Sequence, residues 1–183
     1  MTAGIFWALF GCSRIVFIPV FTFHFILELL DKNHTNLTGI FYGAAFLLLP
    51  LVWTPYVYQG MQVHFWGFYP IAGSFYWVLL ATFLITFSTG AGFLLLELIQ
   101  SKRSSNQRHY NRIKFVFFGI LVGCFGVVDY IIKYGINIYP FGYIAAFIFA
   151  SSIVYAIFRH KLLDIDVIIR NTLIFAGLFG III

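Results

Sequence analysis

Ser151-Ser-Ile-Val-Tyr-Ala-Ile-Phe-Arg-His-Lys-Leu-Leu-Asp-Ile-Asp-Val-Ile-Ile-Arg170 passes from an apolar helix to a charged stretch within three residues. The apolar part ends at Phe158. Arg159, His160 and Lys161 follow at once, and then Leu162, Leu163, Ile165, Val167, Ile168 and Ile169 are set among Asp164, Asp166 and Arg170. An apolar helix closed by a basic cluster reads as a membrane span reaching its cytoplasmic interface, where Lys and Arg collect. Residues 159–172 are then a cytoplasmic amphipathic connector, the way out for anything the membrane part does.

Composition supports a membrane chain. Of 183 residues, 62% are hydrophobic and 9% charged, against about 45–50% and about 25% in ordinary globular chains. Long apolar runs are broken by short polar gaps, the pattern of several spans of about 20 residues each. The net charge of +5 sits between spans, where it sets orientation, and is not a nucleic-acid footprint. Cys12 and Cys124 fall inside apolar runs and read as core residues.

Five complete spans are expected: 4–30, 40–58, 75–99, 113–132 and 140–158. Pro19 is placed to kink the first, and Pro50 and Pro55 to bend or break the second. Gly119 and Gly123 form a small-xxx-small pair in the fourth, a face for close helix packing. Leu173 to Ile183 opens a sixth span; a run of about 11 residues rises only about 16 Å, roughly half the hydrocarbon core. The fold class is therefore an all-α polytopic transmembrane bundle. Residues 1–158 form the bundle, 159–172 the connector, and 173–183 the start of a further span. Both ends read as cut from a longer protein.

Lys and Arg fix an orientation. Loops 31–39, 101–114 and 159–172 hold Lys32, then Lys102, Arg103, Arg108, Arg112 and Lys114, then Arg159, Lys161 and Arg170; the opposite loops hold Lys133 alone. The three basic loops are expected inside and the chain start outside.

Ionisable residues inside spans need a partner or a wet site. Arg14 is expected to face the bundle and meet an acid or carbonyls. His24 and Glu28, one turn apart, are either a proton relay or an interfacial pair. Glu97 lies near the cytoplasmic end, and Asp129 and Lys133, four apart, can share a face. Residues 60–73 crowd His64, Phe65, Trp66, Phe68, Tyr69 and Pro70 together. That is an interfacial aromatic belt or the rim of a ligand pocket. The candidate sensing residues are His64, Trp66, Tyr69 and Arg14. The candidate exit residues are Arg159, His160, Lys161, Asp164 and Asp166. No zinc pair, phosphate loop or nucleophile elbow is present, and neither a cofactor nor a metal is expected.

The segments Arg14-Ile-Val-Phe-Ile-Pro19, Phe23-His24-Phe25, Phe68-Tyr69-Pro70-Ile-Ala-Gly73, Arg112-Ile-Lys114 and Gly135-Ile-Asn-Ile-Tyr-Pro140 fall in one order along the chain. With Tyr155-Ala-Ile-Phe-Arg-His-Lys-Leu-Leu-Asp-Ile-Asp166 they resemble the seven-helix membrane region at the N-terminus of many bacterial sensor histidine kinases. The resemblance covers nearly the whole chain, without the family's first two helices or its catalytic domains. It implies a sensory input region in a bacterial cytoplasmic membrane that passes a stimulus through 159–170 to a kinase. It also implies a homodimer formed through the kinase region and a response regulator as downstream partner. The lipid bilayer and an unidentified ligand or membrane stimulus complete the expected partners. A small transporter or channel, with Arg14, Glu97 and Asp129 lining a path, is the competing expectation.

Overall fold

The computed structural model describes residues 2–103 and 107–160. The chain runs α1 (Thr2–Ile15), α2 (Ile18–Leu29), α3 (Thr35–Val52), β1 (Tyr58–His64), β2 (Gly67–Ala72), α4 (Tyr76–Arg103) and α5 (Gln107–Gly123). A 3-10 turn (Cys124–Val127), α6 (Val128–Ile132) and α7 (Gly142–His160) follow. Among the described residues, four segments are long and apolar enough to cross a membrane: Phe6–Leu29, Thr35–Val52, Tyr76–Arg103 and His109–Ile132.

Four of the five expected spans are found among the described residues, and the fifth is not confirmed. The fifth corresponds to α7, a 19-residue helix from Gly142 to His160, of which Gly142–Ala156 is an apolar helix. The expected sixth, 173–183, lies outside the described residues.

Prolines decide where the first two spans break. Pro19 has no N–H for the carbonyl one turn back, so α1 stops at Ile15 and α2 restarts with Pro19 in its first turn. Pro50 is inside α3, and the helix ends at Val52 rather than near residue 58. The Thr54 hydroxyl donates to the Leu51 carbonyl at 2.7 Å. It takes up one of the acceptors that the helix end leaves open.

The chain is not all-α. Residues 58–72 form an antiparallel hairpin, with Met61 opposite Pro70 and His64 opposite Gly67 across a two-residue Phe65-Trp66 turn. Gly67 closes that turn at φ 139°, a conformation side chains disfavour. Gly73 lets the chain return under the hairpin. A Cβ there would collide with the Tyr56 carbonyl, and the Gly73 N–H donates to Val57 O at 2.8 Å.

The helices pack by shape, since lipid tails are as apolar as leucine. One face of α4 buries Tyr76, Leu79, Phe83, Thr86, Gly90 and Leu94 at helical spacing. At Gly90 the helix meets α2 so closely that a Cβ would sit 2.8 Å from Ile26 Cδ1. The expected small-residue face is realised between α5 and α7. A Cβ on Gly119 would lie 3.0 Å from Ser152 Cβ, and one on Gly123 within 3.8 Å of Phe149. Two buried clusters result. One gathers Val20, Phe23, Ala45, Val57, Tyr76 and Tyr130 near the hairpin. The other gathers Ile26, Leu94, Ile113, Val116, Ile120 and Ala156 toward the opposite end.

The two ends of the bundle differ in chemistry. The hairpin and the 133–141 connection share one end, joined by Ala72 N–H donating to Lys133 O at 2.7 Å. The other end brings the turn after α2 to the end of α4 and the start of α5. There Glu97 meets Lys32 at 2.9 Å and His109 at 3.3 Å.

Candidate functional site

At the hairpin end a buried cation sits among tyrosines. Lys133 is 4% exposed. Its Nζ donates to Tyr58 Oη at 3.2 Å and lies 5.0, 5.5 and 5.3 Å from the rings of Tyr58, Tyr76 and Tyr130. Each such ring contributes about 0.5–2 kcal/mol to a cation, more as water is excluded. Among the described residues no carboxylate lies within 4.0 Å of it. Burial, the dominant effect, pushes the Lys133 ammonium below its ordinary pKa and the Tyr58 and Tyr69 hydroxyls above theirs.

Asp129 does not pair with Lys133 as their spacing allowed. Its Oδ1 accepts the Gly142 backbone N–H at 3.1 Å, so an acid on α6 caps the first turn of α7. Tyr69 of β2 donates to the Asp129 carbonyl at 3.3 Å. Hairpin, α6 and α7 are thus tied at one point.

The other candidates distribute around this point. His64 donates from Nδ1 to Asn137 Oδ1 at 3.0 Å, and its ring stacks on Trp66 at 4.3 Å. Trp66 also packs against Tyr139, while its buried Nε1 has no hydrogen-bond partner among the described residues. His64, Trp66 and Tyr69 therefore pin the hairpin onto the 129–139 segment. Arg14 does not join them or face the bundle. It is exposed, and its guanidinium lies over the Phe10 ring at 4.5 Å. Arg159 and His160 end α7, whereas Lys161, Asp164 and Asp166 lie outside the described residues.

His24 and Glu28 pair at 3.5 Å with side chains 44% and 79% exposed, and His24 also bonds Tyr42 at 3.0 Å. This is the surface-pair alternative. Glu97 and Asp129 stand at opposite ends of the bundle. Tyr76 lies beside Tyr130, and from there to Glu97 α4 climbs about 31 Å. The acids proposed for a transport path do not converge.

Tyr58, Tyr76, Tyr130 and Gly142 were not singled out in the sequence. Their signal was weak: tyrosines at span ends, and one lysine on an otherwise uncharged side.

Apolar helices long enough to cross a membrane, with a strand hairpin folded over one end and tied there to α7, define a helical membrane bundle. The chain belongs to the family described as the N-terminal 7TM region of histidine kinase, whose model matches residues 1–166. No curated protein and no solved structure matches it.

Proposed function

We propose that the chain is the membrane-embedded sensory input region of a bacterial two-component histidine kinase. Residues 1–158 form the sensor bundle, and residues 159–172 connect it to a cytoplasmic output domain. The hairpin end faces outward and the basic end, with Lys32, Lys102 and Arg103, faces the cytoplasm, as the Lys and Arg distribution favours. The bundle stands in the cytoplasmic membrane and acts as a homodimer held by the kinase region, with a response regulator downstream.

The observation that carries this reading is the Asp129–Gly142 tie. It joins the element that meets the stimulus, the hairpin with His64, Trp66 and Tyr69, to the first turn of the helix that leaves through Arg159 and His160. A stimulus that binds two arrangements of this tie unequally shifts their populations, and α7 carries the difference inward through 159–170.

Three measurements test the reading. The reading frame after Ile183 should encode a phosphoacceptor helix and an ATP-binding domain; a stop codon there would remove the kinase. A cysteine at the exposed hairpin tip, Phe65→Cys, should react with a membrane-impermeant maleimide in intact cells, and Gln107→Cys only after lysis. The reverse pattern would overturn the orientation. In the full-length protein, Trp66→Ala with Tyr69→Phe should shift autophosphorylation in membrane vesicles without changing membrane insertion. Unchanged phosphorylation would remove the hairpin from the sensing path.

A further inference from the structure

Beneath the hairpin lies a cavity of about 340 Å3, within the roughly 300–1,000 Å3 range of small-molecule sites. Its deeper walls are Phe83 of α4, Phe149 of α7 and the bare backbone at Gly126; its outer end carries Tyr69, Asp129 and Lys133. Two further lining residues, Ile18 of α2 and Tyr143 of α7, are 50% and 61% exposed. The cavity therefore opens sideways between α2 and α7, toward lipid rather than toward water.

The outer end holds one acid and one base that do not pair with each other. Lys133 has only neutral partners among the described residues, and Asp129 spends Oδ1 on Gly142. A head group with a net charge would bring like charge against one of them in a poorly solvated place. A head group that offers both a donor and an acceptor, and no net charge, meets both.

We propose that this cavity binds a small amphiphile drawn from the bilayer, with an apolar body against Phe83 and Phe149 and a compact, net-neutral head that donates to Asp129 and accepts toward Lys133. Its consequence for output rests on the sensor reading: a head on Asp129 competes with the Gly142 N–H for the carboxylate and so loosens or tightens the start of α7. Binding itself does not depend on that reading.

The test uses the full chain in lipid nanodiscs and three probes of equal chain length: N-(2-hydroxyethyl)decanamide, decanoate and decylamine, each also as a diazirine derivative. The hydroxyethylamide should crosslink saturably to the segments holding Phe83 and Phe149, with both charged probes about tenfold weaker or more. Gly126→Leu should abolish the crosslink. Gly126 lines the cavity and a Cβ there has nothing within 4 Å, so a larger side chain can start at this wall without a clash at its first carbon. Ala146→Leu plugs it from α7 as a second, independent variant, and an unchanged melting profile shows that each is folded. Equal, unsaturable labelling by all three probes, or full labelling of both plugged variants, would overturn the proposal. Recovery of an anionic phospholipid from the native protein but not from Gly126→Leu would overturn the head-group assignment. Saturable binding with no change in autophosphorylation would leave the site standing and count against the sensor coupling alone.

Discussion

The Asp129 carboxylate accepts the backbone N–H of Gly142 at 3.1 Å, an acid on one helix capping the start of the next helix in the chain. Only glycine allows it, because a Cβ at position 142 would fall on the carboxylate itself. Asp129→Asn keeps an acceptor and is expected to stay close to the parent in stability. Asp129→Ala loses the cap and should cost about 1–2 kcal/mol. Gly142→Ala should be destabilising in the parent and nearly silent in the Asp129→Ala background. A double-mutant cycle by unfolding in mixed detergent measures this, and additive costs would mean that the two residues act independently.

Lys133 is a cation kept by π faces, one hydroxyl and the Cys12 sulfur at 4.0 Å. Replacing it with Met removes both its desolvation cost and its attractions, so stability at neutral pH should stay within about 1 kcal/mol of the parent. Lys133→Glu puts an anion against the same ring faces and should cost about 3 kcal/mol or more. Thermal unfolding of the two variants side by side separates a charge effect from a volume effect.

The same lysine, one residue past its span, predicts a pH dependence. Burial holds its pKa below the ordinary 10.5. Between the depressed value and 10.5 the unfolded chain binds more protons than the folded one, so stability rises with pH across that window. Tyr58 and Tyr69, held above the ordinary 10.0 by burial, act oppositely. The folded chain keeps protons that the unfolded chain has lost, so stability falls above about pH 10. The unfolding midpoint should climb with pH once the depressed Lys133 ammonium begins to lose its proton, and turn down beyond about pH 10. Lys133→Met should remove the climb and leave the fall.

Glu97 holds two segments together, through Lys32 after α2 and His109 on α5. The Lys32 and Glu97 side chains are 30% and 18% exposed, so water screens the pair and its coupling should be about 0.5–1 kcal/mol. A cycle of Lys32→Met and Glu97→Gln gives that number directly. A coupling near zero would mean that the pair only marks the position of the turn.

The α5–α7 contact depends on a missing side chain. Gly119→Leu has to push against Ser152 and Phe149, and overpacking of this kind costs about 1–3 kcal/mol. Gly43 in α3 has nothing within 4 Å of a Cβ. Gly43→Ala should therefore be neutral, or stabilising by up to about 1 kcal/mol through helix propensity. Opposite signs in one unfolding assay are the expected result.

By itself the sequence determined the membrane environment and the approximate place of four spans. An apolar run long enough to cross hydrocarbon has few other uses, so the four long segments and the interruption of the first two by proline are local consequences of composition and of a missing N–H, whereas the end of α3 at Val52, short of the expected residue 58, was not read. The small-residue face at Gly119 and Gly123 was legible for the same reason. What tertiary structure decided was partner choice. Asp129 and Lys133, four apart, suggested each other. The fold gave Asp129 to a backbone N–H thirteen residues on and Lys133 to tyrosines from β1, α4 and α6. His64 found Asn137, 73 residues away, and Arg14 was left on an outer face. The hairpin too was decided at this level. Its aromatic residues carry no strong turn signal, and its strands are held by pairing with each other and with the 133–141 connection. Such contacts depend on where helices far apart in sequence come to rest, and periodicity along a single helix holds no record of that.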